Sequence, residues 1–238
     1  MGLGTFWGIS AGAGDPDWLT VKGAKLLRSV KWVACPQNPS GQPGLAFQIV
    51  RPWLQPEQIL IPLHLPFVTQ PDQLQSAWRA AAEQLAPPLE QGEDVAFVCE
   101  GDVGLYSTFA YVARALQARI PDLSVQAIPG VASPLAAAAL LGSPLVLGSE
   151  KLAILPALFA LKDLEQACAW AEVVVLMKVA PVYPQVWQWL AEKSWLNRAS
   201  LVVWAGWPQQ VIFPTLERLA NYQPPYFSLL ILRSQTRN

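Results

Sequence analysis

Residues 95–108 decide the fold, and they read Val95-Ala96-Phe97-Val98-Cys99-Glu100-Gly101-Asp102-Val103-Gly104-Leu105-Tyr106-Ser107-Thr108. The first five form a continuous apolar run, which is typical of a strand buried on both faces of a parallel sheet. A tight turn with two glycines follows, and residues 109–116 continue with a helical pattern. Because open α/β sheets bind ligands beyond the carboxyl ends of their strands, we expect a ligand site in this turn, with Asp102 as a fixed acceptor.

A second strand and glycine-rich turn lie near the amino terminus. A strand is predicted over residues 5–10 and a helix over residues 19–30, and the turn between them contains Gly12-Ala13-Gly14-Asp15-Pro16. The glycines at positions 8, 12 and 14 lack the G-x-G-x-x-G spacing of dinucleotide-binding folds. A phosphate-binding loop ends in Gly-Lys-Ser or Gly-Lys-Thr, and neither follows this turn. The turn therefore favours neither of these two ligand classes.

The rest of the chain alternates strands and helices, which indicates an α/β protein with two domains. We predict an N-terminal α/β domain over residues 1–120 with a mostly parallel sheet, and a C-terminal α/β domain over residues 121–238 with a mixed sheet. A helix is predicted at residues 72–85, and a strand at 124–128 would open the second domain. A third sharp turn, at residues 129–134, leads into an alanine-rich helix. Near the carboxyl terminus we predict a short helix at 216–220 and a strand at 226–232.

The composition is that of a folded protein with a large buried fraction. Of the 238 residues, 53% are apolar and 14% are charged. The net charge of -1 gives no reason to expect a nucleic-acid partner. The 22 prolines and 11 tryptophans indicate rigid connections and aromatic surface for a ligand or a partner subunit.

The sequence gives little support for a metal site or for nucleophilic catalysis. Cys35, Cys99 and Cys168 lack Cys-x-x-Cys spacing, and His64 is the only histidine. Zinc sites, disulfide scaffolds and a Cys-His pair are therefore disfavoured. We interpret Cys99 as a buried thiol, and His64 as either a partly buried histidine or a ligand contact.

Residues 123–149 carry no charge and have to be weighed as a membrane span. Prolines and glycines interrupt them at Pro129, Gly130, Pro134, Gly142 and Pro144, and each would break a helix that must satisfy its own backbone in lipid. The amino terminus also lacks the pattern of a signal peptide. We therefore expect no membrane partner and a cytoplasmic location.

The order of the motifs along the chain resembles the tetrapyrrole (corrin/porphyrin) methylase family. The matching stretches are Gly12-Ala13-Gly14-Asp15-Pro16 with Leu19, Thr20 and Lys22, Gly101-Asp102 with Tyr106-Ser107-Thr108, and Ile128-Pro129-Gly130-Val131. Further motifs are similar to those of the members that methylate carbon 20 of precorrin-2 or of cobalt-factor II: Tyr106 to Phe109, Ala136 to Leu140 with Gly142, Pro144 and Leu145, Leu152 to Ala157, Val175 to Lys178, and Tyr226 to Ile231. Two positions depart from the family pattern, because Ala13 and Val103 each stand where a proline is common.

This resemblance implies the tetrapyrrole methylase fold, with two α/β domains, a ligand cleft between them, and commonly a homodimer. It implies S-adenosylmethionine as cofactor, with S-adenosylhomocysteine as its product. By motif, the cofactor contacts would be Ala13, Glu100, Gly101, Asp102, Leu105, Ala132, Ser133, Met177 and Gly206. Asp102, Tyr106 and Ser107 are the candidate catalytic residues, and no metal is implied.

The implied chemistry suits a chain with one histidine. A sulfonium methyl donor is already activated, so the enzyme chiefly aligns an electron-rich ring carbon and excludes water. A general base is unassigned; Asp15 is a candidate through its place in the first loop, and equally a helix cap. Arg51, Arg79, Lys151 and Lys178 are candidates for binding the carboxylates of the macrocycle. The alternatives are a methylase for another ring position and a non-catalytic tetrapyrrole-binding homologue.

Overall fold

The structure is a computed structural model, and it describes residues 2–38, 40–66, 70–157 and 160–234. Strands and helices alternate along the first half of the chain: β1 Thr5–Ser10, α1 Val21–Ser29, β2 Trp32–Pro36, α2 Leu45–Val50, β3 Ile59–Leu63, α3 Pro71–Glu90, β4 Val95–Cys99, α4 Phe109–Arg119 and β5 Ser124–Ile128. The second half continues with α5 Ser133–Leu140, β6 Leu152–Leu155, α6 Leu161–Cys168, β7 Val173–Met177, α7 Tyr183–Glu192, β8 Ala199–Val203, β9 Val211–Phe213 and β10 Ser228–Arg233. The predicted α/β class is confirmed.

The first sheet has the strand order β3-β2-β4-β1-β5, and all of its pairings are parallel. Side chains of β1 and β4 on one face pack with α3 and α4, and Phe6, Phe97 and Phe109 stack at the centre of this core. Gly8 lets α4 approach the sheet, because a Cβ there would lie 2.8 Å from the ring of Phe109. This packing places the loop before α4 directly over the end of β1.

The chain divides between Ala132 and Ser133, and not between residues 120 and 121 as the sequence predicted. The reason is the position of β5, which pairs in parallel with β1 from Thr5↔Ser124 to Ile9↔Ile128. Pro121 ends a helix, but it does not end the first sheet. The loop after β5 therefore belongs to the first unit.

The second unit is built on a mixed sheet with the order β6-β7-β10-β8-β9. β6 and β7 are parallel, whereas β10 is antiparallel to both β7 and β8. It follows that β6, β7 and β8 run in one direction, with their carboxyl ends at one edge and the start of β10 between them. Two apolar clusters cover the two faces, one including Leu164, Tyr183 and Leu190, the other including Ala137 and Val202.

Two predicted elements differ from the structure, and one strand was not predicted. Helix α3 does not end at residue 85 but continues through Pro87 and Pro88 to Glu90, because Leu85, Ala86 and Leu89 are buried in the core. Residues 216–220 form turns and no helix. Strand β9, which the sequence analysis missed, is only three residues long and pairs antiparallel with β8.

None of the helices in the described ranges combines the length and the apolar character needed to cross a bilayer.

Candidate cofactor site

Three loops of the first unit meet at the carboxyl ends of adjacent strands. Because β4, β1 and β5 are neighbours and parallel, the loops that follow them leave the sheet at the same edge. The loop after β1 and the loop after β4 are joined by an antiparallel bridge between Gly12 and Gly101. This edge is where open α/β sheets bind their ligands.

The bridge depends on two glycines with left-handed backbone. Gly101 N donates to Gly12 O at 2.8 Å, and Gly12 N donates to Gly101 O at 3.2 Å. The φ angles are 82° at Gly12 and 67° at Gly101, a region that side chains with a Cβ rarely adopt. The two turns that the sequence singled out are thus held against each other by their own backbones.

Ser10 ties all three loops together, and the sequence analysis did not identify it. Its side chain is fully buried at the end of β1. Ser10 Oγ donates to Ile128 O of β5 at 2.7 Å and accepts from Val103 N of the β4 loop at 2.8 Å. The only available signal was a polar residue at the end of an apolar strand, which does not reveal partners 118 and 93 positions away.

Asp102 is an acceptor, but its partners are backbone groups of the loops themselves. Asp102 Oδ2 accepts from Gly130 N and Asp102 Oδ1 accepts from Gly104 N, each at 2.7 Å. Gly130 can approach this closely because it has no side chain; a Cβ there would lie 2.4 Å from Ser10 Cβ. The carboxylate therefore fixes the loop after β5 to the loop after β4, and charge-assisted bonds of this kind are among the stronger ones in proteins.

Tyr106 and Ser107, the other two candidate catalytic residues, follow in the same loop. Tyr106 has a φ of 52° and is 55% exposed, which is an unusual backbone for a residue with a bulky side chain. Ser107 Oγ accepts from Phe109 N at 3.1 Å, a local turn that leads into α4. The structure thus gives Ser107 a clear structural role.

Cys99, at the end of β4, is buried beneath the loops. Burial raises its pKa to about 12, although a hydrogen bond with Ser107 partly opposes this. Its Sγ lies 3.7 Å from Ile9 O, to which it donates. Cys99 is therefore part of the packing beneath the loops, as predicted.

The remaining predicted contacts are divided between the two units. In the first unit, Ala13, Glu100 and Leu105 lie in the same two loops, and Ala132 lies in the loop after β5. In the second unit, Met177 ends β7, Gly206 follows β8, and Ser133 begins α5. Met177 and Gly206 lie at the same edge of the second sheet, because β7 and β8 run in the same direction.

The backbone at this second edge is also unusual. Lys178 and Trp204, the first residues after β7 and β8, have φ angles of 53° and 51°, and Gly206 has 78°. Gly206 N donates to Gln210 Oε1 at 2.8 Å, which closes the turn after β8. Non-glycine residues with left-handed backbone cluster at ligand sites, so this edge is a second place where a ligand is expected.

The first edge is built largely from glycines, and among its described residues the side chains that could hold a metal ion are not grouped. Glycines at positions 12, 101, 104 and 130 leave the main chain at the first edge without side-chain cover, and Gly104 is exposed, while the N–H groups of all four donate within the loops themselves. Within the described residues, no group of three or more His, Cys, Asp or Glu side chains is placed to hold a metal ion. His64 is exposed after β3, and Asp15 Oδ1 accepts from Asp17 N at 2.9 Å, as a cap does.

Curated proteins similar to this chain are enzymes of corrin biosynthesis. A precorrin-2 C(20)-methyltransferase from Sinorhizobium sp is 31% identical over 98% of this chain and 96% of its own length. A cobalt-precorrin-2 C(20)-methyltransferase from Salmonella typhimurium is 28% identical over 98% of this chain and 97% of its own length. Both alignments run nearly end to end, as the resemblance in the motifs suggested.

Solved structures with the same fold carry related names. A cobalt precorrin-4 methyltransferase superposes with a TM-score of 0.71 at 20% identity, covering 98% of this chain and 96% of that one. A uroporphyrin-III C-methyltransferase from Thermus thermophilus, solved in complex with S-adenosylhomocysteine, gives a TM-score of 0.62 at 16% identity, with 97% and 98% covered. At these identities the likeness establishes the fold alone.

The chain also matches a family as a whole. Residues 5–220 match the family described as Tetrapyrrole (Corrin/Porphyrin) Methylases, a range that includes both sheets except β10. Taken with the relative at 31% identity, this shows that the chain belongs to the tetrapyrrole methylase family.

Proposed function

We propose that this protein is an S-adenosylmethionine-dependent methyltransferase that methylates carbon 20 of precorrin-2, or of its cobalt-containing counterpart, in cobalamin biosynthesis. The observation that carries the proposal is the end-to-end similarity to two proteins named for this reaction, at 31% and 28% identity. Further support comes from the three loops joined through Ser10, Asp102 and the Gly12–Gly101 bridge, where the cofactor would bind.

The cofactor supplies a methyl group already activated by a sulfonium, so the chain needs no nucleophile of its own. Its task is to hold donor and acceptor in line and to exclude water. We assign this task to Ala13, Glu100, Gly101, Asp102, Leu105 and Ala132 in the first unit, and to Ser133, Met177 and Gly206 in the second. Asp102 would act as a positioning residue, because both of its oxygens accept backbone N–H groups.

Carbon-carbon bond formation requires an electron-rich ring carbon and a route for the proton that this carbon loses. The ring carbon forms a bond to the methyl carbon as the methyl–sulfur bond breaks and sulfur keeps the electron pair. Tyr106, exposed on the β4 loop, would shape the cleft around the substrate. We propose Asp15 as the general base that accepts this proton. In the structure, the Asp15 carboxylate accepts a hydrogen bond from Asp17 N.

Homodimer formation and a cytoplasmic location belong to the same proposal. The support for both is membership of this biosynthetic family. Sedimentation of the purified protein would decide between monomer and dimer.

The test is an anaerobic assay that offers metal-free and cobalt-loaded precorrin-2 side by side with S-adenosylmethionine. We expect one added methyl group, located at carbon 20 by NMR, with at least one of the two substrates. A methyl group at another position would instead favour a methylase for a different ring carbon. Binding of the macrocycle without transfer and without stabilisation by S-adenosylhomocysteine would favour the non-catalytic alternative.

Stabilisation by S-adenosylhomocysteine tests the cofactor separately from the substrate. A ligand that binds only the folded state at a hundred times its Kd stabilises that state by about 2.7 kcal/mol. We therefore expect the midpoint of thermal unfolding to rise as S-adenosylhomocysteine is added, with adenosine diphosphate as a control. No rise at millimolar concentrations would contradict the proposed cofactor.

A further inference from the structure

A polycarboxylate macrocycle requires cations at its binding site, and the topology separates the four basic residues that the sequence singled out. Lys151 directly precedes β6 and so lies at the amino end of that strand, whereas Arg51 directly follows α2 and is not next to a strand. Arg79 lies in the middle of α3 and is exposed. Lys178, by contrast, is the first residue after β7, at the carboxyl edge of the second sheet. Of the four, it alone directly follows a strand, and the carboxyl ends of strands are where α/β sheets bind ligands.

The backbone of Lys178 is held in a conformation that does not favour lysine. Its φ of 53° lies in the left-handed region, which Gly and Asn adopt far more readily. The neighbouring pairing Met177↔Leu229 and the bond from Val179 N to Ser228 O at 3.4 Å fix the chain on both sides. A lysine kept in strained backbone at a strand end indicates that its side chain is used.

The side chain of Lys178 lies beside a group of aromatic rings that we call the aromatic rim: Trp204, Trp207, Tyr226 and Phe227. Lys178 Nζ lies 5.6 Å from the centre of the Tyr226 ring, and Lys178 is itself exposed. Trp204 and Phe227 pack with ring centres 4.6 Å apart, and Tyr226 and Phe227 with 5.1 Å. The bond from Trp204 N to Phe227 O at 2.8 Å fixes the two strand ends that carry the rings.

The aromatic rim, with the ammonium of Lys178 beside it, suits a flat ring system that carries carboxylates. A flat conjugated ring system packs well on aromatic side chains, and an ammonium binds carboxylates at the margin of such a ring system. We infer that Lys178 binds a carboxylate of the macrocyclic substrate while the aromatic rim contacts the apolar part of its ring. This inference rests on the proposed function and assigns the substrate contact within it.

The test compares variants of Lys178 that suit its backbone. Lys178→Asn and Lys178→Gly remove the charge and adopt left-handed backbone readily, whereas Lys178→Arg keeps the charge. Lys151→Ala is the matched control, since it removes a lysine from the opposite edge of the same sheet. The probe is uroporphyrin III, an octacarboxylate, titrated against tryptophan fluorescence, and S-adenosylhomocysteine binding is measured by calorimetry on each variant.

Lys178→Asn and Lys178→Gly each lose a charge-assisted hydrogen bond, so uroporphyrin binding should weaken by about tenfold. In both variants, KM for the substrate should rise by a larger factor than kcat falls. Affinity for S-adenosylhomocysteine should not change. Lys178→Arg should retain most of the porphyrin affinity, and Lys151→Ala all of it. The dependence of porphyrin affinity on salt should become shallower in the two uncharged variants.

The outcomes separate this inference from the proposed function. If the unaltered protein binds both probes and the two uncharged variants bind uroporphyrin equally well, the assignment of Lys178 is wrong and the proposed function stands. An equal loss of S-adenosylhomocysteine affinity in both variants would place Lys178 at the cofactor instead, which also overturns the inference. If the unaltered protein binds neither probe, the proposed function itself fails. Far-UV circular dichroism of each variant confirms that it is folded.

Discussion

Single polar side chains hold the first edge of the site through bonds to backbone groups. Ser10 is fully buried, and its one hydroxyl both donates to Ile128 O and accepts from Val103 N. Asp102 accepts from Gly104 N and Gly130 N. A hydroxyl and a carboxylate thus satisfy polar backbone groups that would otherwise be costly to remove from water.

Replacement of Asp102 should affect both the stability of the loops and the binding of the cofactor. In Asp102→Ala, Gly104 N and Gly130 N lose their acceptor, so we expect the free energy of unfolding to fall by about 1–3 kcal/mol. Affinity for S-adenosylhomocysteine should fall as well, because the loop after β5 is no longer fixed. Urea unfolding and calorimetry measure the two effects.

Two further variants sharpen this prediction. Asp102→Asn can accept from one N–H group but turns its own amide towards the other, so its loss of stability should be similar or only slightly smaller. Asp122→Ala removes an exposed carboxylate between α4 and β5 and serves as the control. If Asp102→Ala matches Asp122→Ala in both measurements, Asp102 does not organise the site.

The sequence analysis predicted Asp102 as an acceptor, but it could not identify what Asp102 accepts from. A motif in one loop specifies a residue type and a turn, whereas the partner Gly130 lies 28 positions away in another loop. Ser10 was missed for the same reason. Local patterns identify turns with good accuracy, but hydrogen bonds between loops depend on which strands become neighbours.

Glycines that allow close packing position α4 and the loop after β5 against β1. Gly8 admits the ring of Phe109 against β1, and Gly130 admits the loop after β5 against Ser10. In both places a Cβ would lie under 3.0 Å from the neighbouring atom. Glycines in this protein therefore contribute through packing as well as through left-handed turns.

A Gly130→Ala variant should disturb the first edge through this contact. The new Cβ would lie 2.4 Å from Ser10 Cβ and 3.2 Å from Ser10 O, so the loop after β5 must move away. We expect a loss of about 1–3 kcal/mol in the free energy of unfolding, as for other overpacked sites. S-adenosylhomocysteine affinity should fall with it, because Gly130 N moves away from Asp102.

The control is Gly2→Ala, where nothing lies within 4 Å of the added Cβ. Equal stability of the two variants in urea unfolding would mean that the loop after β5 adapts without strain. That result would contradict the inference that the hydrogen bond from Gly130 N to Asp102 holds this loop in one position.

At the level of elements, the strongest apolar runs gave the most accurate predictions. β1 and β4 lie where the sequence predicted them, because each is a short and largely apolar run bounded by turn residues. β5 also lies where it was predicted, although Ser124 and Gln126 interrupt its apolar residues. Helix α3 was predicted too short, because it continues through Pro87 and Pro88 to Glu90 with Leu85 and Leu89 buried in the core. The three residues of β9 are too few to show any periodicity.

The two units each have an apolar core of their own. In the first, Phe6, Phe97 and Leu116 are among the buried residues packed between the parallel sheet and the helices α3 and α4. In the second, separate clusters cover the two faces of the mixed sheet. The two-domain organisation was predictable from the length and from the alternating strands and helices. The boundary between the domains was not predictable from the sequence. A helix that ends before Pro121 looks the same in the sequence whether the next strand joins the first sheet or begins a second one.

Fragments that end at the two alternative boundaries therefore differ in a way that can be measured. A fragment of residues 1–132 keeps β5 paired with β1, and with it the acceptor Ile128 O for Ser10 and the donor Gly130 N for Asp102. A fragment of residues 1–120 loses all of these and the buried side chain of Leu123, and it leaves β1 as an unpaired edge. We expect cooperative urea unfolding from 1–132, and weak cooperativity or aggregation from 1–120. Equal stability of the two fragments would contradict the assignment of β5 to the first unit, since a strand that contributes nothing to stability is not part of the sheet in solution.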